Sequence, residues 1–215
     1  MRIGILGTGG MADALGTRWA RAGHDVCVGG RDAARAAALA ARLGGRSGEL
    51  RAAAEHGTDA VLLALPYGVA AEVVGALEVP LRGRTLIDCT NPVGPGFRLL
   101  TAGGPGAARR VADAAPGARV VKGFNLCHED VWRLDPPVFA GRPLAVPLCG
   151  DDEHALSVVR RLVRDLGCEP LDAGGLERAE LLEATAALLI GLWVGEGADA
   201  QAIAPPLEFS GPRTG

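Results

Sequence analysis

An apolar run, Ile3-Gly4-Ile5-Leu6, passes without a spacer into Gly7-Thr8-Gly9-Gly10-Met11-Ala12, and a helix-forming segment begins at once. A strand that must turn straight into a helix on a G-x-G-x-x-A turn leaves few folds open. Gly7 permits the tight turn, Gly9 lets a ligand approach the backbone, and Ala12 lets the helix lie close to the strand. The free N–H groups and the positive end of the helix then make a seat for the diphosphate of a dinucleotide. Glycine patterns are common, and this chain has 32 glycines. The order strand, turn, helix is what gives the pattern its meaning.

The rest of the chain repeats that rhythm. Strand-length apolar runs are expected at 2–6, 25–28, 60–65, 85–88, 119–124, 144–148 and 169–171, with helices near 10–22, 32–43, 68–78, 106–115 and 152–166. Near-continuous apolar strands alternating with helices predict an α/β, doubly wound, mostly parallel Rossmann sheet. The segment LERAELLEATAALLIGLW, residues 176–193, predicts C-terminal helices packed over the cofactor cleft or against a partner subunit, which makes a homodimer the expected assembly. Residues 1–200 are expected to form one dinucleotide-binding domain, with 201–215 a loose Pro-rich tail.

The end of the second strand selects between cofactors. It reads Val28-Gly29-Gly30-Arg31-Asp32. An NAD site places an acid at this tip to hold the ribose 2′-hydroxyl. Here Gly29 and Gly30 leave room, and Arg31 offers a guanidinium to a 2′-phosphate. Asp32 reads as the N-cap of the next helix. NADP(H) is therefore the expected cofactor.

Composition excludes several classes. The formal charge is −3, so no nucleic-acid footprint is expected. No apolar stretch approaches a membrane span, and the opening residues are too short for a signal-peptide core. The five cysteines are scattered and never in a CxxC pair, which argues against a disulfide framework and fits a reduced cytoplasm. No His/Cys spacing points to a metal.

The opening MRIGILGTGGMADAL with AGHDVCVGGRD, then VLLALPYGVAAEVV, LIDCTNPVG, VVKGFN and GDD, and finally LGCEPLDAGGLERAELLEATAALLIGL resemble the NADP-dependent coenzyme F420 reductases. The likeness extends to the dinucleotide domain of certain membrane ferric reductases. The resemblance implies a compact one-domain fold with NADP across the strand ends. By position, Thr8, Gly9, Gly10 and Met11 touch the diphosphate, and Gly30 and Arg31 face the 2′-phosphate. Leu65, Pro66 and Tyr67 line the cofactor. Asn91, Pro92 and the stretch from Lys122 to Asn125 approach the nicotinamide ribose. Family members often carry Asn at position 10 and Ser or Thr at position 30, so Gly10 and Gly30 are departures, and the tail is shorter and richer in Pro.

The chemistry follows from what the partner needs. Hydride exchange with F420 as co-substrate asks for alignment and a dry cavity and little from side chains. Reduction of a small carbonyl or imine asks for a general acid beside the hydride acceptor. His128, which follows a strand end, is the candidate acid, and the sole lysine, Lys122, is the second. The competing reading of His128-Glu129-Asp130 is a helix start, and that of Lys122 is the orientation of ribose or loop carbonyls. A third possibility is a non-catalytic NADP-binding regulator.

Overall fold

The computed structural model describes residues 1–200 and Ile203; the expected tail at 201–215 otherwise lies outside the described residues. The first half is a regular alternation. It comprises β1 (Arg2–Leu6), α1 (Gly10–Arg21), β2 (Asp25–Gly29), α2 (Ala33–Leu43), β3 (Arg46–Gly48) and α3 (Leu50–His56). Then come β4 (Ala60–Leu63), α4 (Tyr67–Ala76), α5 (Glu78–Leu81) and β5 (Thr85–Asp88). The second half has α6 (Ala107–Ala114), β6 (Arg119–Lys122), α7 (Glu129–Arg133), and the short strands β7 (Val138–Phe139) and β8 (Arg142–Pro143). It closes with β9 (Ala145–Gly150), α8 (Glu153–Arg164), β10 (Glu169–Asp172), α9 (Ala179–Ile190) and a π-helical turn at Gly191–Gly195.

Eight strands form one sheet in the order β10-β9-β6-β5-β4-β1-β2-β3, parallel throughout except for the β6–β9 pair. This is the expected doubly wound α/β architecture. The strands are apolar on both faces because both faces are covered. Ile3, Ile5, Val26, Val28, Ala60 and Leu62 enter one core layer with Leu15, Trp19 and Leu39 from α1 and α2. Leu6, Cys27, Val61 and Leu63 enter the opposite layer with Val74, Val111 and Leu182 from α4, α6 and α9. Period-two alternation thus divides each strand between two cores.

Three expectations need correction. β3 and α3 lie within residues 44–59, which the periodicity left without an element, and they extend the sheet edge. The β7–β8 hairpin was also unforeseen. His56, for which the sequence alone suggests a surface helix position, is buried; its ring contacts the Asp25 carbonyl and the Arg2 guanidinium.

Candidate functional site

The strand order reverses between β1 and β4, and two cavities open at the carboxyl ends of the strands on either side of that reversal. The first, about 610 Å³, is lined by Gly7, Thr8, Gly9, Gly30, Arg31, Leu65 and Pro66 among others. Gly7 has φ 125, and a Cβ there would run into the Ala64 carbonyl, so only glycine makes this turn. A Cβ at Gly9 would meet nothing within 4 Å. Among the described residues no side chain caps the first N–H groups of α1, beside which the Glu129 carboxylate stands at Gly10. A Cβ on Gly30 would lie 2.8 Å from the Thr8 methyl, which occupies the space that a side chain at position 30 would take.

Arg31 is exposed and has no ion-pair or hydrogen-bond partner among the described residues. Asp32 caps α2, its carboxylate accepting from the Arg35 N–H at 3.1 Å. Arg35 also lines this cavity, a second guanidinium that the sequence reading did not single out.

The second cavity, about 470 Å³, lies among Met11, Asn91, Phe124, Asn125, His128, Glu129, Ile190 and Trp193, with others. Asn91 and Asn125 lock together here. Asn91 Nδ2 donates to the Asn125 carbonyl at 2.7 Å, while Asn125 Nδ2 donates to Asn91 Oδ1 at 3.0 Å and the Leu182 carbonyl at 3.2 Å. Asn125 Oδ1 is buried and has no donor among the described residues. Such an acceptor costs about 1–3 kcal/mol unless something donates to it. Phe124, just before it, sits at φ 59, with its ring edge-on to Trp19 and Trp132. That left-handed residue bends the chain out of β6 and aims Asn125 into the cavity.

A third cavity, about 490 Å³, shares Cys127, His128 and Trp193 with the second and adds Val131, Phe139, Leu144 and Asp199. Among the described residues no Lys or Arg lines the second or third cavity.

His128 is the N-cap of α7, with Nδ1 accepting from the Asp130 N–H at 3.4 Å and standing 3.2 Å from the Asp130 carboxylate. One nitrogen cannot serve both: the neutral ring accepts from the amide, and the protonated ring donates to the carboxylate. The helix-start reading therefore describes the local geometry, while the same ring lines both cavities.

Lys122 requires a correction. Its side chain is wholly buried and lines neither cavity, so it is not placed to give a proton there. Its Nζ lies 3.0 Å from Asp88, 3.1 Å from Glu183 and 2.6 Å from the Thr90 carbonyl. Burial works against the charge, but the two carboxylates outweigh it and hold the ammonium above its ordinary range. Glu183 was missed: it is one of two acids in α9, and the sequence does not separate it from Glu180 on the same helix. Tyr67 begins α4 and Pro92 is buried, and neither lines a cavity. Gly10 is covered by the Glu129 carboxylate, which occupies the space of a side chain at that position. Cys127 lies on the cavity wall, but burial pushes its thiol up to about 11, which leaves it a poor nucleophile. Among the described residues no cluster of His, Cys, Asp and Glu is arranged to hold a metal ion.

Comparison with known proteins gives this geometry a context. The profile of the family described as NADP oxidoreductase, coenzyme F420-dependent, matches residues 2–92. An F420-dependent NADP reductase of Methanocaldococcus jannaschii is 30% identical over 211 residues, covering 89% of this chain and 92% of the relative. A solved structure described as an F420-dependent NADP reductase of Arthrobacter sp. FB24 superposes with TM-score 0.82 at 23% identity, covering 92% of this chain and 96% of that one. An imine reductase from Aspergillus terreus, solved with NADPH4, gives TM-score 0.64 at 22% identity over 91% of this chain and 63% of its own. At these identities the two structures speak to the fold alone.

Proposed function

The chain belongs to the coenzyme F420-dependent NADP oxidoreductase family, and on that premise we propose that it passes a hydride between NADP(H) and coenzyme F420. The observation that carries the cofactor half is Arg31, a guanidinium with no partner among the described residues, at the tip of β2 where an NAD site would hold an acid. NADP(H) supplies or receives the hydride when bound. The residues present fit it. The Gly7–Gly9 turn and the uncapped N–H groups of α1 receive a diphosphate, and Arg31 with Arg35 receives a 2′-phosphate. Asn125 Oδ1 is a buried acceptor awaiting a donor from the nicotinamide half. Phe124, Ile190 and Trp193 exclude water from the second cavity, and the third cavity extends it for the co-substrate.

A second reading, NADPH-dependent reduction of a small imine or carbonyl compound, is favoured by one observation: His128 and Glu129 line a cavity in which no Lys or Arg stands among the described residues. A proton donor and a carboxylate suit a cationic imine better than they suit an anionic co-substrate. One assay separates these readings. NADPH mixed with oxidised F420 should bleach the deazaflavin. Absence of bleaching with NADPH loss on an imine or carbonyl panel selects the second reading. Tight NADPH binding without turnover on any compound selects a regulator. His128→Ala should leave bare hydride exchange nearly unchanged and slow an acid-assisted reduction by about 10²–10⁴.

The chain is further read as one NADP-binding domain over residues 1–200, a cytoplasmic protein and a homodimer. Support for the dimer comes from Leu181, Leu188 and Val194 on and after α9, which are 54%, 58% and 71% exposed. Among the described residues no helix is long and apolar enough to cross a membrane.

A further inference from the structure

The single lysine of an arginine-rich chain is fully buried with three acceptors around its ammonium. A compact ammonium has three donors, and here each has one acceptor, on Asp88, on Glu183 and on the Thr90 carbonyl. Both carboxylates are fully buried with it. The excess negative charge is met by backbone donors. Glu183 accepts from the Ala107 and Ala108 N–H groups at 2.8 and 3.0 Å, at the N-terminal end of α6, and Asp88 accepts from the Thr90 N–H at 2.8 Å. Thr90 adjoins Asn91, whose pair with Asn125 carries the orphaned acceptor. Glu183 and Leu182 lie on α9, whose end provides Ile190 and leads to Trp193 in the opposite wall of the same cavity.

We propose that Glu183 and Lys122 are positioning residues that tie the last helix to the turn after β5, and so hold the Asn91–Asn125 pair in register with the wall that closes over the nicotinamide half of the cofactor. The proposal rests on the reading above that this half lies at Asn125. Glu183 acts through Lys122 and the Thr90 carbonyl, and it touches neither cofactor nor co-substrate.

The test compares NADPH with adenosine 2′,5′-bisphosphate, which carries the adenosine end and its phosphates without the nicotinamide. The dissociation constant of the bisphosphate divided by that of NADPH measures the nicotinamide half alone. In Glu183→Gln the ratio should fall about tenfold, with the bisphosphate bound as in the wild type within about twofold. A folded variant with an unchanged ratio, or with both ligands weakened equally, overturns the proposal. If Glu183→Gln does not fold, the triple variant Asp88→Asn, Lys122→Met, Glu183→Gln removes all three buried charges at once, so that no single charge is left buried without its partner. It has lost the hold on the Thr90 carbonyl, so the same fall is expected and the same outcomes overturn it. A ratio near one in the wild type itself would remove the placement of the nicotinamide half, and the proposal with it, whereas a normal wild-type ratio that the variants leave untouched would remove the proposal alone.

Discussion

Among the described residues the Arg31 guanidinium has no partner, and a single substitution tests what it awaits. Arg31→Ala removes a charge-assisted contact to a phosphate that NADH lacks. NADPH affinity should fall by about 10–100-fold, the equivalent of about 1.5–3 kcal/mol, while NADH affinity changes little. Equal losses, read by fluorescence titration, would remove the phosphate role. The thiols give a second prediction. With Cys127 pushed up to about 11, its thiolate fraction at pH 8 is roughly 10⁻³, against about a quarter for a free cysteine. Its alkylation by iodoacetamide should run about 200-fold slower than a free thiol's and should rise about tenfold per pH unit towards pH 10. Arg31 was legible in the sequence because its neighbours are consecutive, and the question there is local. Lys122 was noticed for its rarity but misplaced. Its partners come from positions 88 and 183, and no local pattern reports that three distant segments bury their charges together.

Elements were legible in proportion to how much apolar surface each one buries. Strands β1, β2, β4 and β5 read clearly because every residue from Ile3 to Leu6 and from Ala60 to Leu63 is buried. The three-residue β3, Arg-Ser-Gly, gains its place from backbone pairing with β2 alone, and so carries no hydrophobic signal. Nor does α3 signal itself; its seven residues are too few to show a helical period. Asp32 shows what a residue in a readable element does. As the cap of α2 it stabilises the helix, and it also stands on the wall of the cavity that holds Arg31. Asp32→Ala should therefore lower the melting temperature by about 2–4 °C, in keeping with a cap worth about 1 kcal/mol. NADPH affinity should hold or rise, because a carboxylate leaves the neighbourhood of the 2′-phosphate. A large loss of affinity would make Asp32 a ribose ligand instead.

At the scale of the whole molecule, α9 serves two masters. Its inner face carries Leu182 into the core and Glu183 to Lys122, its end walls the second cavity, and its outer residues Leu181 and Leu188 stand in solvent. A helix apolar on nearly all sides has no stable place at the edge of a monomer, since the outer stripe gains nothing from burial there. If a second copy covers that stripe, assembly and the cofactor cleft share one element, and disturbing the first reaches the second. Leu188→Glu places a charge in the outer stripe and leaves the inner face unchanged. Sedimentation equilibrium should then give the chain mass of 21.9 kDa, where the wild type gives twice that value. The monomeric variant should keep its affinity for adenosine 2′,5′-bisphosphate, because the first cavity is built from β1, β2 and β4 at a distance from α9. Its Michaelis constant for the hydride partner should rise several-fold as the Trp193 wall loosens. A wild-type chain that sediments as a monomer would show that the stripe is simply exposed, and Leu188→Glu would then alter neither constant.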